Sequence, residues 1–236
     1  GASILWFGWF GFNAGSALGA NALAASAFVV SQAAAAAATV SWVLMEWKFN
    51  GKPTVLGAVS GCIAGLVAIT PAAGFVEPLP AIIIGLIGGG ICYFAVAVLK
   101  DKLGYDDSLD AFGIHGIGGT WGSLATGLWA TTGVNPAGAN GLFYGETDLF
   151  VAQVISTVVA YALAIVGTFI LFKIVSAICD VRADESEELA GLDIVEHGER
   201  GYGRSVVGGT IMGSFEDSSE MLANTVMKVN AKGGTI

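Results

Sequence analysis

The stretch DAFGIHGIGGTWG, Asp110–Gly122, sets one ionisable ring, His115, among glycines and apolar residues. An imidazole there can hydrogen-bond to a neighbouring helix, ligate a metal or haem, or line a path for protons and small polar solutes. Ligation needs further ligands, and the chain's other histidine, His197, lies in a charged stretch far along the chain. An interhelical hydrogen bond and a pore role both stay open on the residues alone. A second group sits in LWFGWFGFNAGSALGAN, residues 5–21. Phe12 and Ser16 are four apart, hence on one helix face, and Trp9 precedes Phe12 by three. A ring face attracts a small cation, and a hydroxyl oxygen can replace one of its waters. Aromatic residues are also enriched at membrane–water interfaces, so the same stretch fits an interfacial anchor.

Composition says what elements must hold these residues. The chain has 236 residues, of which 12% are charged and 54% hydrophobic, and a mean hydropathy of +0.72. A soluble domain carries about 25% charged residues, so this is an all-α membrane chain rather than a water-soluble globule. Six apolar segments follow: residues 2–20, 23–47, 53–69, 80–99, 109–132 and 149–178. Most approach the roughly 20 residues that a helix needs to cross a bilayer. Turn-forming stretches such as NGKP at 50–53 and TGVNPAGANG at 132–141 separate them. Residues 1–179 are read as a transmembrane bundle and 180–236 as a charged, cytoplasmic tail, with 205–236 expected to be partly disordered. A helix starting near Asp107 would put His115 about 12 Å along it, near mid-membrane. Asp106, Asp107 and Asp110 then suit capping and the helix dipole, with a role at the cytoplasmic pore exit as the alternative.

Orientation follows from the cations. Lys48, Lys52, Lys100, Lys102 and the tail arginines fall on one side of a six-span bundle, whereas the opposite connections carry Glu77, Glu146 and Asp148. The positive-inside rule makes the basic side, and the tail, cytoplasmic. Glycines at four-residue spacing (Gly57, Gly61 and Gly65; Gly85 and Gly89; Gly118 and Gly122; Gly15 and Gly19) and the alanine run 33–38 predict close helix contacts. Cys62, Cys92 and Cys179 lack metal-type spacing and read as buried, inert thiols. The net charge of −9 comes mostly from the C-terminal tail and says little about partners, except that a large basic patch is absent, and no nucleic-acid partner is expected. No cofactor, metal or catalytic residue is assigned, a haem site included, since one membrane histidine cannot supply two axial ligands.

The stretches GWFGFNAGSAL, GAVSGCIAGLV, AITPAAG, GYDDSLDAFGIHGIGGTWGSLATG and GLDIVEHGERGYG, taken in order, resemble the Amt family of ammonium transporters from residue 1 to about 203. The resemblance implies an eleven-span fold built on two inverted repeats, of which this chain would supply the sixth to eleventh spans and the tail. By resemblance Phe12 belongs to the outer gate, Ser16 to the ammonium site, Thr70 to the lining of that region and His115 to the pore histidines, while the partner histidine, the second gate phenylalanine and the site tryptophan fall in the other half; Trp9 joins the substrate-binding and pore residues by its spacing to Phe12. Gly191, Asp193, His197 and Gly198 match the family's regulatory tail. The family implies a homotrimer in the cell membrane, a possible PII-type cytoplasmic regulator, and ammonium or ammonia as the transported species, with an ammonium sensor as the alternative. Residues 204–236 match no family pattern.

Overall fold

The computed structural model describes residues 1–199, residue 201 and the backbone of 206–207 and 210–211. Contacts divide the chain into two units, Gly1–Thr168 and Phe169–Ile236. The division falls inside one continuous helix, earlier than the change of composition at Asp180.

In the first unit, α1 (Ala2–Asn13) is shorter than the apolar segment that contains it. A 3-10 turn, Gly15–Ala17, follows, and Leu18 takes a left-handed conformation at φ 53°. Apolarity continues to residue 20, but Gly15 and Gly19 favour leaving the helix, and the Asn21 side chain starts the next one by accepting from the Ala24 N–H at 2.9 Å. This second helix, α2 (Ala22–Asn50), ends on Gly51 at φ 78°. Thr54 caps α3 (Val55–Ile69) through the Gly57 N–H. Pro78 opens α4 (Pro78–Phe94), which runs on through a π-helical turn, Ala95–Leu99, into α5 (Lys100–Leu103). Residues 104–110 are not helical, and Asp110 is left-handed at φ 55°. A second π-helical turn, Phe112–Gly116, leads into α6 (Ile117–Trp129). A long connection then reaches α7 (Asp148–Ser176).

Three of these helices are long and apolar enough to cross a bilayer: α2 with 29 residues, Pro78–Leu103 with 26 and α7 with 29. At 1.5 Å per residue each exceeds a hydrocarbon core of roughly 30 Å. The shorter α3 has 15 residues.

The core is built around the small-residue face of α2. Ala34, Ala35 and Ala38 are fully buried. A Cβ on Gly65 would stand 2.5 Å from the Ala34 carbonyl oxygen and 2.7 Å from Ala35 Cα. Gly85 and Gly89 of α4 press on the backbone at Ala34 and Ala38 in the same way. In the absence of a water-driven hydrophobic effect between helices, this close approach is what gains dispersion energy. Gly122 of α6 lies on the Ala68 carbonyl, and the Trp121 Nε1–H donates to the Ile84 carbonyl at 3.0 Å. The Gly15–Gly19 pair is different: nothing stands within 4 Å of a Cβ at Gly15, because both glycines belong to the turn after α1. Cys62 and Cys92 are buried as expected, but Cys179 is exposed, since it follows the end of α7 where the charged stretch begins.

In the second unit, Asp184 and Glu187 form a capping box that starts α8 (Glu185–Ala190), and α9 (Leu192–Val195) follows Gly191. The remaining regular structure of this unit, among the described residues, is a two-residue antiparallel pairing of β1 (Val206–Val207) with β2 (Thr210–Ile211). The expectation of partial disorder over 205–236 otherwise falls outside the described residues.

Candidate functional site

Three helices meet at a polar chain that begins on α1. The Trp9 Nε1–H donates to Thr70 Oγ1 at 2.8 Å, across from α1 to the end of α3. Thr70 passes its own proton to the Leu66 carbonyl at 2.7 Å, so its oxygen lone pairs face the indole. Asn13 Oδ1 stands 3.3 Å from the same hydroxyl, and Asn13 Nδ2 donates to Ser31 Oγ at 2.8 Å. Ser31 in turn donates to the Ala27 carbonyl. Asn13 and Ser31 are both buried. Polar groups in an apolar medium are costly unless paired, and here the Trp9, Thr70, Asn13 and Ser31 donors each find an oxygen acceptor.

This chain fixes the indole between two other rings. Trp9 meets Phe12 edge-on, with centroids 6.0 Å apart, and stacks on His115 at 6.3 Å with the planes 23° apart. Trp9, Phe12, Thr70 and His115, named separately from the sequence, are thereby brought together. Ser16 lies one turn beyond Phe12 and donates its proton to the Phe12 carbonyl. That donation leaves the Ser16 oxygen free to accept. Phe12 is 61% exposed, and Ser16 and His115 are exposed as well.

His115 lies in the π-helical turn itself, not eight residues into a helix. Its depth therefore cannot be counted from Asp107, because 104–110 are not helical. Asp107 does cap as expected: its two carboxylate oxygens accept from the Ala111 and Phe112 N–H groups, each at 2.9 Å. Asp110 has a different partner, Lys100 Nζ, at 2.7 Å.

On its other side His115 opens onto a groove of about 440 Å³ between α6 and α7, lined also by Gly119, Thr120, Ser123, Thr157 and Tyr161. The Thr120 and Tyr161 hydroxyls are 2.7 Å apart, and the Tyr161 hydroxyl also reaches the Gly116 carbonyl at 3.3 Å. Ser123 donates to Gln153 at 2.7 Å and accepts from Thr157 at 3.1 Å. Sequence reasoning missed this hydroxyl-rich groove, and it missed Asn13 and Ser31. The available signal was polar residues inside apolar segments, which have to find partners. Among the described residues no group of three His, Cys, Asp or Glu side chains could hold a metal ion.

In the tail, Gly191 and Gly198 both adopt positive φ, at 98° and 67°. Asp193 organises the segment between and beyond them, its Oδ2 accepting from the Gly201 N–H at 2.7 Å and its carbonyl from the Glu199 N–H at 3.0 Å. His197 is exposed on this turn.

The chain matches the model of the Ammonium Transporter Family over residues 1–202. It is 57% identical over 202 residues to an ammonium transporter of Bacillus subtilis, a match covering 86% of this chain and 50% of the relative. Ammonium transporter Amt1 of Archaeoglobus fulgidus is 50% identical over 203 residues, covering 86% of this chain and 51% of its own. The chain thus spans about half the length of the curated relatives it matches. Among solved structures, that of Saccharomyces cerevisiae Mep2 aligns with a TM-score of 0.69 at 39% identity, over 72% of this chain and 39% of that one. A structure described as a sensor Amt protein aligns with a TM-score of 0.74 at 28% identity, over 83% of this chain and 47% of that one.

Proposed function

Because this chain belongs to the ammonium transporter family, we propose that it forms one wall of an ammonium-conducting pore in the cell membrane. The observation that carries this reading is Trp9, held by Thr70, in contact with Phe12 on one side and His115 on the other. Together they make a continuous ring-lined face, and Phe12 and His115 stay exposed in this chain.

The chemistry follows from the groups along that face. Ammonium is held at the outer end by the Phe12 ring and the Ser16 oxygen, whose lone pairs are free because its proton goes to the Phe12 carbonyl. A charged ion in the apolar stretch beyond is strongly disfavoured. The ion therefore gives its proton to water at the outer mouth before this stretch, and neutral ammonia passes along Trp9 to His115, whose ring nitrogens can donate or accept. The opposing wall comes from the other, N-terminal inverted repeat that completes such pores. In this reading the six apolar segments, including the short α1 and α3, cross the membrane with the tail in the cytoplasm. The assembly is a homotrimer, and the Asp193 turn with Gly191, His197 and Gly198 forms a regulatory element on the face open to a PII-type protein. The likeness to a sensor Amt protein favours a second reading, in which ammonium is bound at the same residues and reported to a cytoplasmic partner.

Ammonium flux into liposomes containing the full-length protein separates the two readings, since a sensor passes none. His115→Asp tests the pore. It keeps a polar group on the face but adds a charge that the neutral ring lacks, so conduction or the exclusion of potassium should change. Purified variant trimers that transport ammonium and exclude potassium like the parent would refute the placement of His115.

A further inference from the structure

We propose that Lys100 and Asp110 are a positioning pair for His115, fixing the orientation at which its ring meets the conduction path. The inference rests on the pore reading above for its functional consequence, but its structural part stands on the backbone that carries the histidine. Among the described residues no side-chain hydrogen bond holds the His115 ring; Trp9 stacks on it. Its place is therefore set by the turn beneath it.

That turn is unusual in three respects. It is π-helical, Phe112–Gly116, a geometry wider than an α-helical turn and frequent at functional sites. It leans on the other π-helical turn among the described residues: a Cβ on Gly113 would lie 2.7 Å from Val96 Cγ2, within Ala95–Leu99. Finally, it is entered through Asp110, left-handed at φ 55°, whose carbonyl accepts the Ile114 N–H at 2.9 Å. Lys100 is the first residue after one π-helical turn, and Asp110 stands two residues before the other. Their 2.7 Å ion pair ties the two turns together where they touch.

An exposed ion pair contributes little. Both of these side chains are about three-quarters shielded, at 26% and 27% exposure, and charged groups next to apolar helices pair or become costly. Releasing the pair frees the entry to the π-helical turn, and the histidine moves with it.

The test uses the full-length protein with Asp110→Asn, Lys100→Met and Lys100→Arg. Asparagine tolerates the left-handed region as aspartate does, so Asp110→Asn removes charge without adding backbone strain. Methionine keeps most of the lysine stem, and arginine keeps the charge. Two measurements are made on each: side-chain 15N-histidine spectra, with the His115 signals assigned by their loss in His115→Gln, and ammonium flux in liposomes. Asp110→Asn and Lys100→Met are expected to shift the His115 signals and to lower flux, by up to about 100-fold for a displacement of about 1 Å. Lys100→Arg should keep both near the parent. His115 signals unchanged in Asp110→Asn and Lys100→Met overturn the proposal. So does failure of both to fold, which would make the pair a requirement for stability. Shifted signals with unchanged flux uphold the positioning and count against the pore role of His115 instead.

Discussion

Replacing Thr70 by valine removes one oxygen and keeps the shape of the side chain. The oxygen lost is the one that accepts the Trp9 indole N–H at 2.8 Å, and its proton is the one given to Leu66 at 2.7 Å. Leaving a shielded donor without a partner costs about 1–3 kcal/mol. Because the indole is only part-buried, the lower half of that range applies, and 1–2 kcal/mol changes the balance between the held and rotated indole by a factor of roughly 5–30. A rotated ring loses its edge contact with Phe12 at 6.0 Å and its stacking on His115 at 6.3 Å together. Ammonium uptake by the full-length protein in liposomes should fall accordingly in Thr70→Val and be kept in Thr70→Ser. A double-mutant cycle with Trp9→Phe isolates the contact, since phenylalanine has no N–H to lose. In that background Thr70→Val should add less than about 0.5 kcal/mol, the scatter expected of uncoupled changes. Thr70→Val transporting like the parent, or effects of the two substitutions that simply add, would show that Thr70 does not act through Trp9.

Gly65→Ala brings a Cβ to 2.5 Å from the Ala34 carbonyl oxygen. The resulting overpacking costs about 1–3 kcal/mol, a fall in Tm of roughly 3–10 °C, whereas Gly15→Ala, with nothing within 4 Å, should leave Tm unchanged; equal thermal shifts for the two in detergent would contradict the backbone contact. Topology is checked by impermeant maleimide after Cys179→Ser removes the exposed native thiol: Ala139→Cys should label from outside the cell and Lys52→Cys only from within, and the reverse pattern refutes the cytoplasmic tail.

The contacts that depend on residue size were legible. Gly61 and Gly65 of α3 and Gly85 and Gly89 of α4 meet the alanine face of α2 because four-residue spacing alone places each pair on one ridge of its helix, and a missing side chain leaves a backbone to touch. Trp9, Phe12, Thr70 and His115 could be named one by one, but their meeting depends on the packing of α1 against α3 and against the turn before α6. What spacing could not show was where helices stop being regular. Apolarity runs past Asn13 to residue 20, so the end of α1 is set by glycine and by the Asn21 cap rather than by hydropathy. The two π-helical turns have no residue signature, and a depth counted at 1.5 Å per residue from Asp107 fails because Asp107–Asp110 is a hydrogen-bonded turn rather than helix. Asp110 resembled one more acidic residue near a helix start. Its pairing with Lys100, ten residues earlier, depends on the turn between them. The Thr120–Tyr161 contact joins residues 41 apart and was equally out of reach.

The smooth packing around α2 has a mechanical consequence. Interlocking side chains prevent two helices from sliding along each other, but glycine laid on alanine offers few such teeth. With glycines repeating every four residues, a slip of one repeat, roughly 6 Å along the axis, would lay glycine on alanine again. Register must then be held at the ends. Near the C-terminal end of α2, Glu46 accepts from both the backbone N–H and the hydroxyl of Thr54 at 2.9 Å, and Asn50 Oδ1 accepts from the Tyr93 hydroxyl at 3.3 Å. Toward its other end, Ser31 receives Asn13. These polar pairs work as pins in a sliding joint: they contribute little contact area, yet they decide which of several equally smooth alignments the helices adopt.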